Sequence, residues 1–375
     1  MKTRAWILCG WAAILMGIAV GISACADEPS PSEEPTPPPS IVPTPDETDS
    51  LPETPLDTLP EMPKLWEGFS ENSDYIVVIG DVQAYVSSSK NLKYYEQTMR
   101  WVKEQKNLGA NIKSMLFVGD LTENNKAGQW KTFQEAASIA SGDIMMIPVS
   151  GNHDYDWDRN NKERPIAVRD RRSCHISEYA STPLLRANIV ASFRPDSIEN
   201  IIVRQEIDGK EIDVVALEFG VRPGALQWAS DYVRNHPDHR YIVMTHELMG
   251  RTGEFGGSSA RLQFDGFQPY STSEDVWKAL GAPTDNVIAM LCGHNGFAAY
   301  NNTRHNLTGH PLPVVLFNLQ YLVNGGDGLV QLWEFPHGTN DVIIRIVDSK
   351  VPEYFMAPAE MDPPCCEFPI RFSYN

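Results

Sequence analysis

Five short apolar runs in this chain end on residues able to hold a metal ion or carry a proton. IVVIGDVQ ends on Asp81 and Gln83, MLFVGDLTEN carries Asp120, and IPVSGNHD ends on Asn152, His153 and Asp154. YIVMTHE carries His246 and IAMLCGHNG carries His294. Carboxylates, amide oxygens and imidazoles form a donor set for hard or borderline divalent cations. Each residue has a plainer reading when taken singly. Asp81 and Asp120 would serve as helix caps, His246 as a hydrogen-bonded core histidine, and GNHD as a turn. What sets them apart is that all five groups stand at the same place relative to an apolar run.

For these residues to converge, the runs must be neighbouring strands. Tyr75–Ile79, Met115–Val118 and Ile144–Val149 read as buried strands, with helical stretches at Leu92–Leu108 and Trp130–Ala140 between them. Strands alternating with helices predict crossovers and a parallel sheet. The polar stretch 155–200 has no clear period. Beyond it, Ile201–Ile207 and Glu211–Glu218 flank Asp208-Gly209, a hairpin signal. A helix at Leu226–Asn235 and strands at Tyr241–Met244 and Val287–Leu291 follow, then strands near Val314–Phe317, Leu329–Phe335 and Val342–Val347. The pattern predicts one α/β domain with parallel and antiparallel pairing and no internal repeat. In open α/β sheets the carboxyl ends of parallel strands share one edge, and ligands bind there. Gly80, Gly119, Gly151 and Gly293 are expected to supply the tight turns by which the strands leave the sheet.

Asp-x-Gln, Gly-Asp, Gly-Asn-His-Asp, His and Gly-His, in this order and each after an apolar run, resemble the five blocks of the calcineurin-like metallophosphoesterases. The resemblance covers roughly residues 74–297. The segment NLQYLVNGGDGLVQLWEF at 318–335 is similar to the last sheet of secreted bacterial members. The resemblance implies a four-layer α/β/β/α sandwich of two mixed sheets flanked by helices. It also implies hydrolysis of a phosphate ester, mono- or diester, by a hydroxide activated between two divalent ions (manganese, iron, zinc or magnesium). Asp120 would bridge the ions, and Asn152, His246 and His294 would complete one site. Asp81 and Gln83 would belong to the other, where the family usually has His in place of Gln83 and a second His in place of Gly296. An oxygen-rich site of this kind suits manganese or magnesium and binds more weakly. His305 or His310 is the nearest source of a replacement nitrogen. By the same resemblance His153 would protonate the leaving oxygen and Asp154 would orient it.

The rest of the chain bears on location. Lys2 and Arg4 precede an apolar run from Ala5 to Ile22, and Ile22-Ser23-Ala24-Cys25 resembles a bacterial lipobox. Residues 1–24 are therefore expected to be a lipoprotein signal peptide, with a lipid on Cys25; an uncleaved membrane helix is the alternative. Either way the catalytic part lies outside the cytoplasm, on the periplasmic face or the cell surface. Residues 25–64 form a linker, in which 26–64 hold 12 of the 28 prolines and ten acids against Lys64 alone. Such a composition buries too little apolar surface to order itself. Of the net charge of −18, the linker carries −9 and the signal +2, leaving −11 for the domain, 65–350, and the C-terminal tail, 351–375. An acidic domain excludes nucleic acid as the main partner. The expected partners are a small-molecule or cell-surface phosphate ester and the membrane. A basic stretch at 159–175, with Arg159 and Arg164, is either a phosphate grip or a solvated surface helix. Cys174 could pair with Cys365 or Cys366 in an oxidising compartment. A surface binding protein of the same fold with an impaired metal centre is the competing reading.

Overall fold

Apolar runs too hydrophobic to face water on either side become strands covered on both faces. The computed structural model describes residues 65–157, 168–250, 252–256, 269–350 and 368–371, all within one compact unit, Leu59–Asn375. Strands β1 (Ser73–Ile79), β2 (Ile112–Phe117) and β3 (Met145–Pro148) come first, and β4 (Asp156–Trp157) pairs with β5 (Val168–Asp170) in a small separate ribbon. Next are β6 (Ile189–Ser192), β7 (Ile201–Val203), β8 (Glu206–Ile207), β9 (Lys210–Ala216), β10 (Arg240–Met244) and β11 (Val287–Cys292). The chain ends through β12 (Phe297–Asn301), β13 (Val314–Asn318), β14 (Leu329–Pro336), β15 (Asp341–Asp348) and β16 (Phe368–Arg371). One sheet has the order β16-β15-β14-β1-β2-β3, and the other β12-β13-β11-β10-β9-β7-β6. Both are mixed: β1, β2 and β3 run parallel, as do β9, β10, β11 and β13, with antiparallel strands at the margins.

Side-chain alternation in the second sheet divides its two faces between two cores. Val214, Ala216, Ile242, Met244, Val315 and Phe317 join the core shared with the first sheet. Val215, Tyr241, Val243, Met290, Val314 and Leu316 instead join the core under an outer helix. A period of two makes that partition automatic. Helix α1 (Gln83–Val86) is a single turn, and α2 (Ser89–Asn107) and α3 (Ala127–Ser141) are the crossovers of the first sheet. Tyr95, Met99, Val102 and Gln105 make the buried stripe of α2 at helical spacing. The Tyr95 ring stacks 6.3 Å from Phe133 of α3. After the short α4 (Ile176–Tyr179) and α5 (Pro183–Asn188), α6 (Pro223–Asn235) covers the second sheet with Ala225, Leu226, Ala229 and Val233. The result is a mixed α/β fold of two sheets flanked by helices, as the sequence pattern and the resemblance lead one to expect.

Some details differ from expectation. Stretch 155–200 contains β4, β5, α4, α5 and β6, elements of two to six residues that are too short to show a period. Asp208 (φ 51°) and Gly209 (φ 69°) make the expected two-residue turn between β8 and β9, but a break after Val203 splits the first arm of the hairpin into β7 and β8. Within the stretch assigned to the C-terminal tail, β16 pairs antiparallel with β15. The signal, Cys25 and the linker lie outside the described residues, as do Arg159 and Arg164.

Candidate metal centre

The carboxyl ends of β1, β2, β3, β10 and β11 meet, and each delivers its polar residue within a few positions of the strand end. His246 is fully buried at the centre. Its Nδ1 lies 2.7 Å from the Val118 carbonyl, to which it donates, so the neutral ring carries its lone pair on Nε2. That Nε2 lies 3.2 Å from Asn152 Oδ1, 3.3 Å from Asp120 Oδ1 and 3.2 Å from His294 Nδ1. Ligand atoms of Asp120, His246 and His294 all fall within 4.8 Å of one another. Four lone-pair atoms facing one another repel unless a cation lies among them, so the residues fit a metal ion. Without metal, a proton takes that place. Burial opposes charging His246, but the negative charge of Asp120 and Asp81 outweighs it and pushes the imidazole up to about 10. His294, held down mainly by burial, falls to about 4 and stays neutral, as a ligand must be. Asp120 is held below the ordinary carboxylate range; burial works against this, and His246 overcomes it.

The local backbone permits this crowding through glycine, for two reasons. Gly119 has φ +108°, the left-handed region, and a Cβ there would overlap the His246 ring. Gly293 has no positive φ; a Cβ on it would overlap Asp81 Oδ1. The turn-forming role expected of all four glycines is thus, at Gly293, a requirement for space. The ring of Phe219 lies edge-on to His246 at 5.3 Å and tilted against His294 at 5.7 Å, bracing both imidazoles from behind.

Beside this cage the second expected position is made of amides. Gln83 Nε2 donates to Asp120 Oδ2 at 2.9 Å, while the buried Gln83 Oε1 has no hydrogen-bond partner among the described residues. Asp81 Oδ2 accepts from Asn318 Nδ2 at 2.6 Å and Gln320 Nε2 at 3.2 Å, and Asp81 Oδ1 accepts from the His294 backbone N–H at 3.3 Å. Burial raises the Asp81 carboxyl well above its usual range, against the pull of His246. An amide oxygen with no partner among the described residues, beside the Asp120 carboxylate, fits a cation, though with fewer donors than the first cage. His305 and His310 are not among the described residues whose ligand atoms gather at the centre. His305 Nδ1 faces the Thr303 carbonyl at 3.1 Å, and His310 Nδ1 lies 3.2 Å from Asp285. His305 bonds within the polar loop that carries it, and His310 bonds to a residue just before β11.

His153 and Asp154 have different surroundings from those expected. The His153 backbone N–H donates to Asp120 Oδ1 at 2.9 Å, and its Nδ1 sits 3.0 Å from the Glu123 carbonyl and 3.6 Å from the Glu123 carboxylate. The groups bonded to Asp154 are Gly151 N (2.8 Å), Leu121 N (3.0 Å), Thr122 N (2.7 Å) and Thr122 Oγ1 (3.0 Å). Asp154 therefore ties the Asp120 loop to the Asn152 loop, and His153 Nδ1 lies against Glu123. Burial, helped by Asp120, raises Asp154 to about 7 despite three backbone donors.

Asn318, Gln320, Glu123 and Phe219 are the site residues that sequence reasoning missed. Asn318 had a signal: like the others it ends an apolar strand, VVLFN. From the basic stretch, Arg171 is described, and its guanidinium pairs with the buried Glu218 at 3.2 Å and donates to the Gly220 carbonyl, a structural use. Cys174 forms no disulfide among the described residues, and Cys365 and Cys366 lie outside them.

A model of the calcineurin-like phosphoesterase family matches residues 75–296. An uncharacterized protein of Bacillus subtilis (strain 168), YvnB, is 21% identical over 279 residues, which cover 71% of this chain and 19% of that protein. The chain thus spans about a fifth of the length of that relative. Among solved structures, the NAD nucleotidase NadN of Haemophilus influenzae aligns with a TM-score of 0.39 at 10% identity, over 76% of this chain and 49% of that one. The 5'-nucleotidase precursor of Thermus thermophilus aligns with a TM-score of 0.37 at 13% identity, over 76% and 53%. The family model spans more than half of the chain, and the chain belongs to the calcineurin-like phosphoesterase family.

Proposed function

We propose that this family member hydrolyses a phosphate ester, mono- or diester, at a divalent metal centre outside the cytoplasm. The observation that carries the reading is the meeting of Asp120, Asn152 and His294 around His246 Nε2, whose other nitrogen is committed to Val118. Bound divalent ions supply charge to the phosphate oxygens and lower the pKa of a coordinated water. Asp120, Asn152, His246 and His294 would hold one ion firmly. Asp81 and Gln83 would border a weaker position that favours manganese or magnesium. His153, with Nδ1 beside the Glu123 carbonyl, would protonate the leaving oxygen. Export and lipid attachment through Cys25 rest on the N-terminal sequence alone. Cys25→Ser should free the protein from the membrane fraction or block its maturation, whereas unchanged attachment would indicate a helical anchor.

A surface binding protein with an impaired centre is the second reading, favoured by the three donors on Asp81. Turnover decides between them. The purified protein with added manganese is assayed on aryl and alkyl monoesters, a diester, nucleotides and sugar phosphates, with His246→Ala as the blank. Hydrolysis that the blank lacks supports the enzyme. Inertness toward every ester, in a folded and metal-loaded chain, leaves the binding protein.

A further inference from the structure

The segment after β13 is fastened on both sides of one exposed aromatic residue. Asn318 and Gln320 are bonded to Asp81, and Leu322 packs on the inter-sheet core. Farther along, Gly325 lies against Ala84, and the Gly328 N–H donates to the Tyr85 hydroxyl at 3.0 Å. Between these anchors Tyr321 is 67% exposed and Val323 72% exposed. Large apolar side chains left in water on a fixed backbone beside a polar site call for an explanation. The Tyr321 ring also has a defined place. A Cβ on Gly296 would lie 2.5 Å from Tyr321 Cδ2 and 2.7 Å from Cε2, so the ring lies over the backbone two residues beyond His294.

We infer that Tyr321, flanked by Val323, is a platform for the organic part of the substrate, and that the centre prefers phosphate esters of aromatic groups over those of small polar alcohols. The inference rests on the proposal that the centre binds a phosphate ester. With the phosphorus fixed at the metal cage, the ester oxygen's substituent must leave toward the rim. The rim at Gly296 offers an aromatic face where a side chain at position 296 would otherwise stand. Gly296 is then required for space, because any larger residue would push the ring off its seat. Ring-on-ring packing adds roughly three- to tenfold in affinity beyond simple burial.

Equilibrium binding tests this apart from catalysis. Phenylphosphonate and methylphosphonate, which lack a scissile ester, are titrated into the detergent-solubilised, manganese-loaded full chain. The wild type should bind the phenyl compound roughly three- to tenfold more tightly. Tyr321→Ala should bring that ratio near one without weakening methylphosphonate, and Tyr321→Phe should keep the ratio. Equal binding of the two by the wild type, a parallel loss of both in Tyr321→Ala, or no binding of either would overturn the platform. Discrimination that persists in a chain inert toward all esters would refute hydrolysis and leave the platform standing.

Discussion

Phe219 offers the sharpest test of how the fold holds the cage. Its ring is 1% exposed and touches both imidazoles. Shortening a buried phenylalanine to leucine removes contacts on one side and costs on the order of 1–2 kcal/mol, less than the 3–5 kcal/mol of an alanine. For a domain of this size each kcal/mol moves Tm by roughly 2–4 °C. Phe133, equally buried but lodged between α3 and the first sheet, supplies the control, because Phe133→Leu should cost about as much. The two variants part when metal is added. Loosening the support of a ligating histidine typically weakens metal binding by 10- to 100-fold. A tenfold loss removes about 1.4 kcal/mol of metal-linked stabilisation when the ion is in large excess. The assay is thermal unfolding in chelator and in excess manganese, comparing the metal-induced rise in Tm. Phe219→Leu should lose about 3–6 °C of that rise, and Phe133→Leu none. Equal metal-induced rises in the two variants would refute the bracing role and reduce Phe219 to ordinary core.

The two metal positions should be unequal: after extensive dialysis, elemental analysis should find about one ion per chain, because the second position offers oxygen donors only. Restoring nitrogen with Gln83→His and Gly296→His should raise that count only modestly while Tyr321 fills the space over position 296, and fully once Tyr321→Ser is added. His153→Ala should leave the metal content intact and lower turnover of alkyl esters by roughly 100-fold or more, with nitrophenyl esters affected less; equal losses would assign His153 to phosphate positioning. Metal uptake should release protons. His246 of the metal-free chain is raised to about 10, so it is protonated at neutral pH and must lose that proton to ligate. Apparent affinity should therefore rise with pH up to about 10, by calorimetry in buffers of different ionisation enthalpy. In the metal-free chain the stability due to the His246 proton is complete below the unfolded value near 6.5 and lost as pH rises through 10.

The sequence was most readable where chemistry follows a strand. Asp81, Asp120, Asn152, His246 and His294 each stand just past a run that could only be a buried strand, so one topological rule brought them together. Asn318 obeys the same rule, yet an asparagine after a strand reads first as a turn former, and its bond to Asp81 spans 237 positions. Phe219 left no trace in ALEFG, because a ring that braces a ligand looks like any core aromatic. The partners of His153 and Asp154 could not be read either. Adjacent in sequence, they reach the loop after β2 at different residues, Asp154 at Leu121 and Thr122 and His153 at Glu123, from a tight 3-10 turn, Asn152–Asp154.

Asp81 and Asp120 show why residue type alone could not reveal the asymmetry of the centre. Both are aspartates at the ends of neighbouring parallel strands, and both are almost wholly buried. Desolvation raises both, and their surroundings then separate them. Asp120 faces the imidazole of His246 and the N–H of His153, which stabilise its charge and draw it below the ordinary range. Asp81 meets two neutral amides and a longer backbone contact, which supply donors but no charge, and it remains well above that range. Both oxygens of Asp81 already accept hydrogen bonds, so an ion at the proposed second position would have to compete with those donors, whereas Asp120 directs Oδ1 at His246 Nε2. Histidine in place of Gln83 would bring a stronger donor beside Asp120. Freeing Asp81 Oδ2 for an ion would require exchanging the amides of Asn318 and Gln320, which lie outside the matched family region. A weaker second position, as proposed, would then be built jointly by the first strand and by a segment more than 230 positions away.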